Sequence, residues 1–231
     1  MGSTITIQVA EGEFQAYVAR PAIEPAPVVV AIQEIFGIND DLKATCQELA
    51  DSGYIAVSPD LFWRQEPGVS LSHWTEAEWK KGFELYSAFD FDKGVDDIGA
   101  TIAAVRSLPG ATGKVGVMGY CLGGLMTFLA AARGDVDAAA AYYGGGTDQH
   151  IGEAGKISAP MVMHIGTEDE FISKEAQAII KAGVSGKPNI ELFSYPGCSH
   201  AFARHTGTRY DANAAALANG RTLALFAAHL R

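Results

Sequence analysis

The chain has 231 residues, 48% of them hydrophobic, and a formal net charge of −10. This length and composition predict one globular domain over residues 1–231 with a sizeable core. The acidic balance argues against nucleic-acid binding. No run approaches the roughly 18 apolar residues of a membrane span, so we expect no membrane partner.

The first part of the chain mixes strand and helix patterns. Ile5–Ala10 and Phe14–Arg20 alternate in polarity on either side of a Glu-Gly pair, which predicts a hairpin. Pro27–Ile32 is a continuous apolar run, typical of a strand buried on both faces. A helix is predicted over Asp40–Asp51, with Asp40 or Asp41 near its N-cap, and a strand over Tyr54–Ser58.

Strands and helices go on alternating in the rest of the chain, and Gly144–Gly155 is the loosest stretch. The predicted elements are helices at 75–86 and 95–108, a strand at 114–119, a helix at 122–133, strands at 138–143 and 160–165, a helix at 174–182, a strand at 190–195 and a helix at 213–230. This order predicts an α/β fold with a mostly parallel sheet and helices on both faces. Ligands of such sheets bind beyond the carboxyl ends of the strands.

The sequence Gly119-Tyr120-Cys121-Leu122-Gly123 matches the nucleophile-elbow pattern, with cysteine in place of the usual serine. A strand that turns directly into a helix holds its apex residue in a strained conformation and exposes the side chain above the sheet. The apex also lies at a helix N-terminus, which favours an anion and therefore the thiolate. We therefore predict that Cys121 is a nucleophile.

The other two cysteines, Cys46 and Cys198, carry weaker signals. Cys46 lies within a helical pattern and is predicted to pack in the core, and Cys198 is interpreted as a bystander. An odd number of cysteines without a signal-peptide pattern predicts reduced thiols and a cytoplasmic protein. No C-x-x-C pair is present, so we expect no metal site, and no cofactor is predicted.

A cysteine nucleophile needs a base, and the base needs an orienting acid; in this architecture they follow in the order nucleophile, acid, histidine. The strand ending near Ile165 is followed by Glu168-Asp169-Glu170, and the last strand is followed by His200. Cys121, Asp169 and His200 thus stand in the required order, each just past a strand. Glu168 and Glu170 remain alternatives to Asp169.

The remaining histidines are interpreted as follows. His164 lies inside a strand and is expected to be a satisfied core residue. His73 and His150 fall in solvated loop contexts, and His229 ends the last helix. His205 follows His200 closely enough to line the same opening.

Glu34 is unusual because it places a carboxylate at the end of a buried strand, on the side of the sheet where ligands bind. A carboxylate beside a thiol favours the neutral thiol. The same loop is expected to lend the Ile35 backbone N–H to an oxyanion hole, with the Leu122 N–H as its partner.

These residues, together with motifs spread over nearly the whole chain, resemble the dienelactone hydrolases (carboxymethylenebutenolidases), a branch of the α/β-hydrolase superfamily. The matching motifs are QEIFG at 33–37, SPDLF at 58–62, RQ-x-PG at 64–68, AFD at 88–90, GKVGVMGYCLGG at 113–124, YYG at 142–144, G-x-x-D-x-F at 166–171 and H-x-FAR at 200–204. GYCLGG together with QEIFG is highly specific to this family.

The resemblance implies a triad of Cys121, His200 and Asp169, and a switch in which Glu34 holds the resting thiol until substrate displaces it. It implies that Arg204 holds a substrate carboxylate. A second family arginine corresponds here to Trp79, so tight binding of dienelactone itself is in question.

Further substrate contacts are expected from Lys80 and Lys81, which are adjacent to Trp79, and from Phe36 and Tyr143, which lie within the matching motifs. The expected activity is hydrolysis of an enol-lactone through a thioester acyl-enzyme, in aromatic-compound degradation, by a monomer or small homo-oligomer acting on a small lactone or ester. The alternatives are a hydrolase of the same fold with another ester, lactone or thioester substrate, a redox sensor that uses Cys121 with Cys198, and a binding module without chemistry.

Overall fold

The computed structural model describes residues 2–231. The chain divides into two compact units, Met1–Gly116 and Val117–Arg231, and the prediction of one domain over 1–231 stays a prediction. The elements are β1 (Ser3–Val9), β2 (Gly12–Ala19), β3 (Ala26–Ile32), α1 (Asp40–Asp51), β4 (Ile55–Pro59), α2 (Glu76–Ser87), α3 (Phe91–Arg106), β5 (Ala111–Tyr120), α4 (Leu122–Arg133), β6 (Ala138–Tyr142), α5 (Thr147–His150), a 3₁₀ helix (Ile151–Lys156), β7 (Met161–Gly166), α6 (Lys174–Val184), β8 (Ile190–Tyr195) and α7 (Ala212–Leu230).

The eight strands form one sheet in the order β1-β2-β4-β3-β5-β6-β7-β8. The predicted hairpin is confirmed, since β1 pairs antiparallel with β2, and β2 then pairs antiparallel with β4. β3 and β4 are parallel, and so are the pairs β6–β7 and β7–β8. The predicted α/β class with a mostly parallel sheet is therefore confirmed.

In the first unit, every residue of β3 is buried, as its uninterrupted apolar sequence predicts. Helix α1 has the predicted bounds, but its N-cap is Asn39, whose side chain accepts a hydrogen bond from the N–H of Leu42. Asp40 and Asp41 instead occupy the first turn, where their charge complements the helix dipole.

Helix α3 begins at Phe91, four residues before the predicted start at Val95. The Asp90 carboxylate accepts the N–H groups of Asp92 and Lys93, so the helix is capped at an earlier residue than its apolar pattern indicates. The predicted start was wrong because capping by Asp90 leaves no trace in hydrophobic periodicity.

In the second unit, helix α4 has the predicted bounds, and nearly all of its residues are buried. The prediction that 144–155 is the loosest stretch was wrong. Short helix α5 and the 3₁₀ helix fill this stretch, and both contact α6. Burial of Thr147 and Ala154 stabilises a segment whose glycines suggest a loop.

Among residues 2–231, no helix is long and apolar enough to cross a membrane.

Candidate active site

Cys121 stands at the junction of β5 and α4, which is the geometry that the elbow pattern predicts. Its backbone has φ 55° and ψ −115°, a conformation that side-chain-bearing residues rarely adopt. The Cys121 N–H donates to the carbonyl oxygen of Tyr142 at 3.1 Å, and its own carbonyl oxygen accepts the N–H groups of Gly124 and Leu125. The strained apex is therefore fixed on both sides by backbone hydrogen bonds.

Two glycines are required for this turn. A Cβ atom on Gly119 would overlap the backbone of Gly123, and a Cβ atom on Gly124 would overlap the carbonyl oxygen of Tyr142. Strand and helix thus approach more closely than any side chain permits. The Leu122 N–H lies in the first turn of α4, where N–H groups have no partner within the helix.

His200 and Asp169 meet through their side chains. Nδ1 of His200 lies 2.8 Å from Oδ2 and 3.0 Å from Oδ1 of Asp169. Both residues are buried. Oδ1 of Asp169 also accepts the N–H groups of Phe171 and Ile172, at 2.8 and 3.1 Å, so the carboxylate is held in place. The arrangement fixes the His200 ring with Nε2 pointing away from Asp169.

The two alternative acids contact other groups. Glu168 forms an ion pair with Lys174 at 2.9 Å. Oε2 of Glu170 accepts the backbone N–H of His200 at 3.2 Å, and its carboxylate pairs with Arg209. Of these three consecutive acids, only Asp169 hydrogen-bonds the imidazole ring of His200 in the structure.

The pKa of His200 reflects two opposing influences. Burial disfavours the imidazolium, but the charge of a Cys121 thiolate and the hydrogen bond that His200 donates to Asp169 outweigh it and raise the pKa to about 10. Nε2 is buried and makes no hydrogen bond of ordinary geometry with any residue in 2–231. Cys121 is nevertheless close enough to His200 for its charge and a weak hydrogen bond to contribute to the raised pKa.

Two further predicted site residues of this unit surround His200. The Tyr143 ring centroid is 5.0 Å from that of His200, and the Tyr143 backbone has φ 38°. Arg204 is only 7% exposed, and its N–H donates to the carbonyl oxygen of Ala201, another side-chain-bearing residue with positive φ (60°). Strained backbone therefore clusters around His200, as it commonly does at functional sites.

Among the predicted site residues of the first unit, Phe36 and Trp79 form an aromatic pair. Ile35 and Phe36 are buried, and Glu34 is half-buried. The Phe36 and Trp79 rings meet edge to face at 4.9 Å, and Nε1 of Trp79 donates to the carbonyl oxygen of His73 at 2.8 Å. The orientation of Trp79 is therefore set by a hydrogen bond as well as by packing.

The two lysines beside Trp79 differ in their surroundings. Lys81 forms an ion pair with Glu66 at 2.5 Å, whereas Lys80 is exposed. The ion pair compensates the charge of Lys81. The predicted substrate contacts of both lysines stay predictions.

His164 is fully buried and hydrogen-bonded on both ring nitrogens, which confirms that it is a satisfied core residue. Nδ1 lies 2.8 Å from the Tyr195 hydroxyl, and Nε2 lies 3.1 Å from the Thr222 hydroxyl. Burial, and secondarily the positive charge of Arg221, lower the pKa of His164 to about 3. His164 is therefore neutral at physiological pH.

The other two cysteines are buried free thiols, which confirms the predicted core position of Cys46, whereas the bystander role of Cys198 stays a prediction. Burial raises the pKa of Cys46 to about 12 and raises that of Cys198 as well. Neither is an activated thiol. In the described part of the chain, no group of three or more His, Cys, Asp or Glu residues has the arrangement of a metal site.

The parallel sheet, the strained residue between β5 and α4 and the buried His–Asp pair define an α/β hydrolase. Residues 14–230 match the family model described as "Dienelactone hydrolase family". The chain belongs to the dienelactone hydrolase family, and it is accordingly a lactone or ester hydrolase.

Named relatives span almost the whole chain. The sequence is 45% identical to a "Putative carboxymethylenebutenolidase" of Azospirillum brasilense, with 95% of each chain covered. It is 42% identical to a carboxymethylenebutenolidase of Pseudomonas putida, covering 95% of this chain and 93% of the relative. A crystal structure of a "Putative Dienelactone Hydrolase" from Klebsiella pneumoniae superposes with a TM-score of 0.85 at 26% identity and covers 98% of each chain.

Proposed function

We propose that the protein hydrolyses an enol-lactone of the dienelactone type through a nucleophilic Cys121, with His200 as base and Asp169 as the acid that orients it. The observation that carries this proposal is the buried Asp169–His200 hydrogen bond beside the strained apex residue Cys121. The family membership and the carboxymethylenebutenolidase relatives support the substrate class.

In the first half of the proposed reaction, His200 Nε2 takes the proton of the Cys121 thiol, and the thiolate sulfur attacks the lactone carbonyl carbon. The backbone N–H groups of Ile35 and Leu122 stabilise the resulting oxyanion. When the tetrahedral intermediate collapses, the bond from carbon to the ring oxygen breaks. The ring oxygen leaves as a conjugated enolate, and a thioester remains on Cys121.

In the second half, the protonated His200 first gives up its proton to the enolate carbon, which restores the neutral imidazole. His200 then accepts a proton from water as the water oxygen attacks the thioester carbon. The carbon–sulfur bond breaks, the Cys121 thiolate leaves, and the new carboxylate is released. The product is a keto-diacid of maleylacetate type. A stabilised enolate needs little help from an acid to depart, which suits a thiolate nucleophile.

Glu34 is proposed to hold the resting thiol neutral until substrate displaces it. Such gating would limit unproductive alkylation or oxidation of the nucleophile.

Arg204 is proposed to bind the substrate carboxylate through its planar guanidinium. A local positive charge is needed, because the net charge of −10 repels an anionic substrate at distances up to the Debye length of about 8–10 Å. Trp79, at the place of the second family arginine, favours a second candidate: an ester or lactone whose acyl part carries an apolar group there. We further propose that the enzyme acts in the cytoplasm, in aromatic-compound degradation.

Replacement of Cys121 by alanine tests the chemistry. We expect turnover of cis- and trans-dienelactone and of p-nitrophenyl acetate to be lost. Full activity of the variant on both substrate types would refute the nucleophile assignment. In the wild type, faster turnover of apolar esters than of both dienelactones would favour the second candidate.

A further inference from the structure

The loops that follow β7 and β8 are joined by two hydrogen bonds, one to a side chain and one between backbones. The Thr167 hydroxyl accepts the N–H of Gly197 at 2.9 Å, and the N–H of Glu168 donates to the carbonyl oxygen of Cys198 at 2.8 Å. These contacts bring consecutive residues of one loop beside consecutive residues of the other. The next residues along this pairing are the acids at 169 and 170 and the histidine at 200.

His200 is held by both of these acids, each through a different group. Asp169 binds the ring at Nδ1, and Glu170 accepts the backbone N–H at 3.2 Å. The next residue, Ala201, has φ 60°, a conformation that alanine adopts only when its surroundings impose it. An external hold on the His200 backbone is therefore needed to keep the ring in line with Asp169.

Glu170 is held in turn by Arg209. Their side chains form an ion pair. The Arg209 side chain is 37% exposed and the Glu170 side chain is 39% exposed. The Arg209 guanidinium also lies 5.8 Å from the centre of the Phe171 ring, and that ring meets the His200 ring edge-on at 4.8 Å. Arg209 thus contacts two residues that touch His200 from different directions.

The charges are also consistent with a supporting role. Glu170 on its own would place a second carboxylate beside His200, in addition to Asp169. The positive charge of Arg209 compensates the negative charge of Glu170. Asp169 therefore remains the carboxylate whose charge acts on the His200 ring. Glu170 touches the main chain of His200 and not its ring nitrogens, so it has no part in proton transfer.

We propose that Glu170 and Arg209 form a positioning pair that fixes the backbone of His200 and so keeps its imidazole aligned with Asp169 and Cys121. This inference rests on the proposed function, in which His200 is the base. It assigns a role to Glu170, one of the three consecutive acids after β7, and to Arg209, which lies in none of the sequence motifs.

The test compares Glu170→Ala with Glu170→Gln and with the matched control Glu168→Ala. Glu168 belongs to the same loop and is also ion-paired, but its carboxylate binds Lys174 and the Thr167 hydroxyl. We expect Glu170→Ala to lower kcat about tenfold with KM unchanged, because the base is misplaced while substrate contacts are kept. Glu170→Gln should recover most of kcat, because its amide oxygen can still accept the His200 N–H. Glu168→Ala should match the wild type.

The second measurement is the line width of the low-field imidazole N–H resonance of His200 in proton NMR. A loss of global stability alone does not change this line width at temperatures well below unfolding. In Glu170→Ala we expect this resonance to broaden by exchange at temperatures well below unfolding, whereas it stays sharp in Glu168→Ala. Arg209→Ala should lower kcat by a smaller factor, about threefold. The double variant should resemble Glu170→Ala rather than the product of both effects, since the two residues act as a unit.

Equal kcat values for Glu170→Ala and Glu168→Ala, or additive effects of Glu170→Ala and Arg209→Ala, would overturn the positioning pair. If Glu170→Ala does not fold, the same decision rests on Glu170→Gln, Arg209→Ala and their double variant. His200→Ala separates this inference from the proposed function. Unchanged turnover in His200→Ala refutes the proposed function itself, whereas lost turnover together with an inert Glu170 refutes only the positioning role.

Discussion

Nδ1 of His200 lies 2.8 Å from Oδ2 of Asp169, across 31 residues of sequence, and both side chains are almost entirely removed from solvent. The contact joins the loop after β7 to the loop after β8. An imidazole held in this way presents its other nitrogen in one orientation, which is what a general base beside a cysteine requires.

Asp169→Asn tests this relationship. The asparagine amide can donate to Nδ1, which would place the imidazole proton on Nε2 and prevent His200 from accepting the thiol proton. We expect kcat for dienelactone to fall by about 10³–10⁴ with little change in the melting temperature. Steady-state kinetics and thermal melting measure both quantities. Glu168→Gln is the control, and a comparable loss in that variant would contradict a specific role for Asp169.

Glu34→Gln tests the proposed switch. In the proposed switch Glu34 places a negative charge beside the thiol. Its removal would favour the thiolate, so Cys121 should react with iodoacetamide about tenfold faster at neutral pH. Mass spectrometry of the labelled peptides distinguishes Cys121 from Cys46 and Cys198, which are buried. An alkylation rate equal to that of the wild type across the pH range would remove the switch from the mechanism.

Arg204→Ala tests the proposed carboxylate contact. Loss of the guanidinium should raise KM at least tenfold for lactones that carry a carboxylate, while neutral esters such as p-nitrophenyl acetate are spared. Arg204 is only 7% exposed, so Arg204→Lys serves as a variant that keeps the charge. We expect intermediate KM values from it. If both variants lose activity equally on charged and neutral substrates, Arg204 is structural.

Gly124→Ala tests the close approach at the elbow. Its Cβ would overlap the carbonyl oxygen of Tyr142 and press on the backbone of Gly144, so we expect a loss of at least about 1–3 kcal/mol of unfolding free energy. Gly99, within α3, has no atom within 4 Å of such a Cβ. Gly99→Ala should instead stabilise by about 0.5–1 kcal/mol. Urea unfolding measures both free energies. An unchanged unfolding free energy in Gly124→Ala would contradict the close packing of Gly124 against Tyr142.

The pKa of His164 predicts a pH dependence of stability. Because the pKa is about 3 in the folded protein and about 6.5 in a free histidine, the unfolded chain binds the extra proton between these values. The contribution of His164 is complete above pH 6.5. It is lost as the pH falls towards 3, at about 1.4 kcal/mol per pH unit. NMR should show an imidazole that stays neutral at pH 5, and titration of His164 near pH 6.5 in the folded protein would contradict this.

Much of the fold could be predicted because its signals are local. The bounds of α1, α4 and β8 follow from apolar periodicity and flanking residues, and the predicted elements are present with small shifts at their ends. The errors arise where one side chain or tertiary packing decides. Asp90 caps α3 earlier than the pattern indicates, and packing against α6 orders the glycine-rich segment after β6.

The same distinction holds for the candidate site. The amino-acid pattern alone indicates the elbow at Cys121, the order of acid and histidine after it, and their places just beyond the strands. These signals are readable because parallel strands bring their carboxyl ends together. The residues alone leave the choice among the three acids open. The resemblance implies Asp169, and the folded loops show that Asp169 binds the ring of His200 and Glu170 binds its backbone. Asp169, Glu168 and Glu170 are chemically alike and adjacent, so the loop conformation, and not the residue type, determines which carboxylate meets Nδ1.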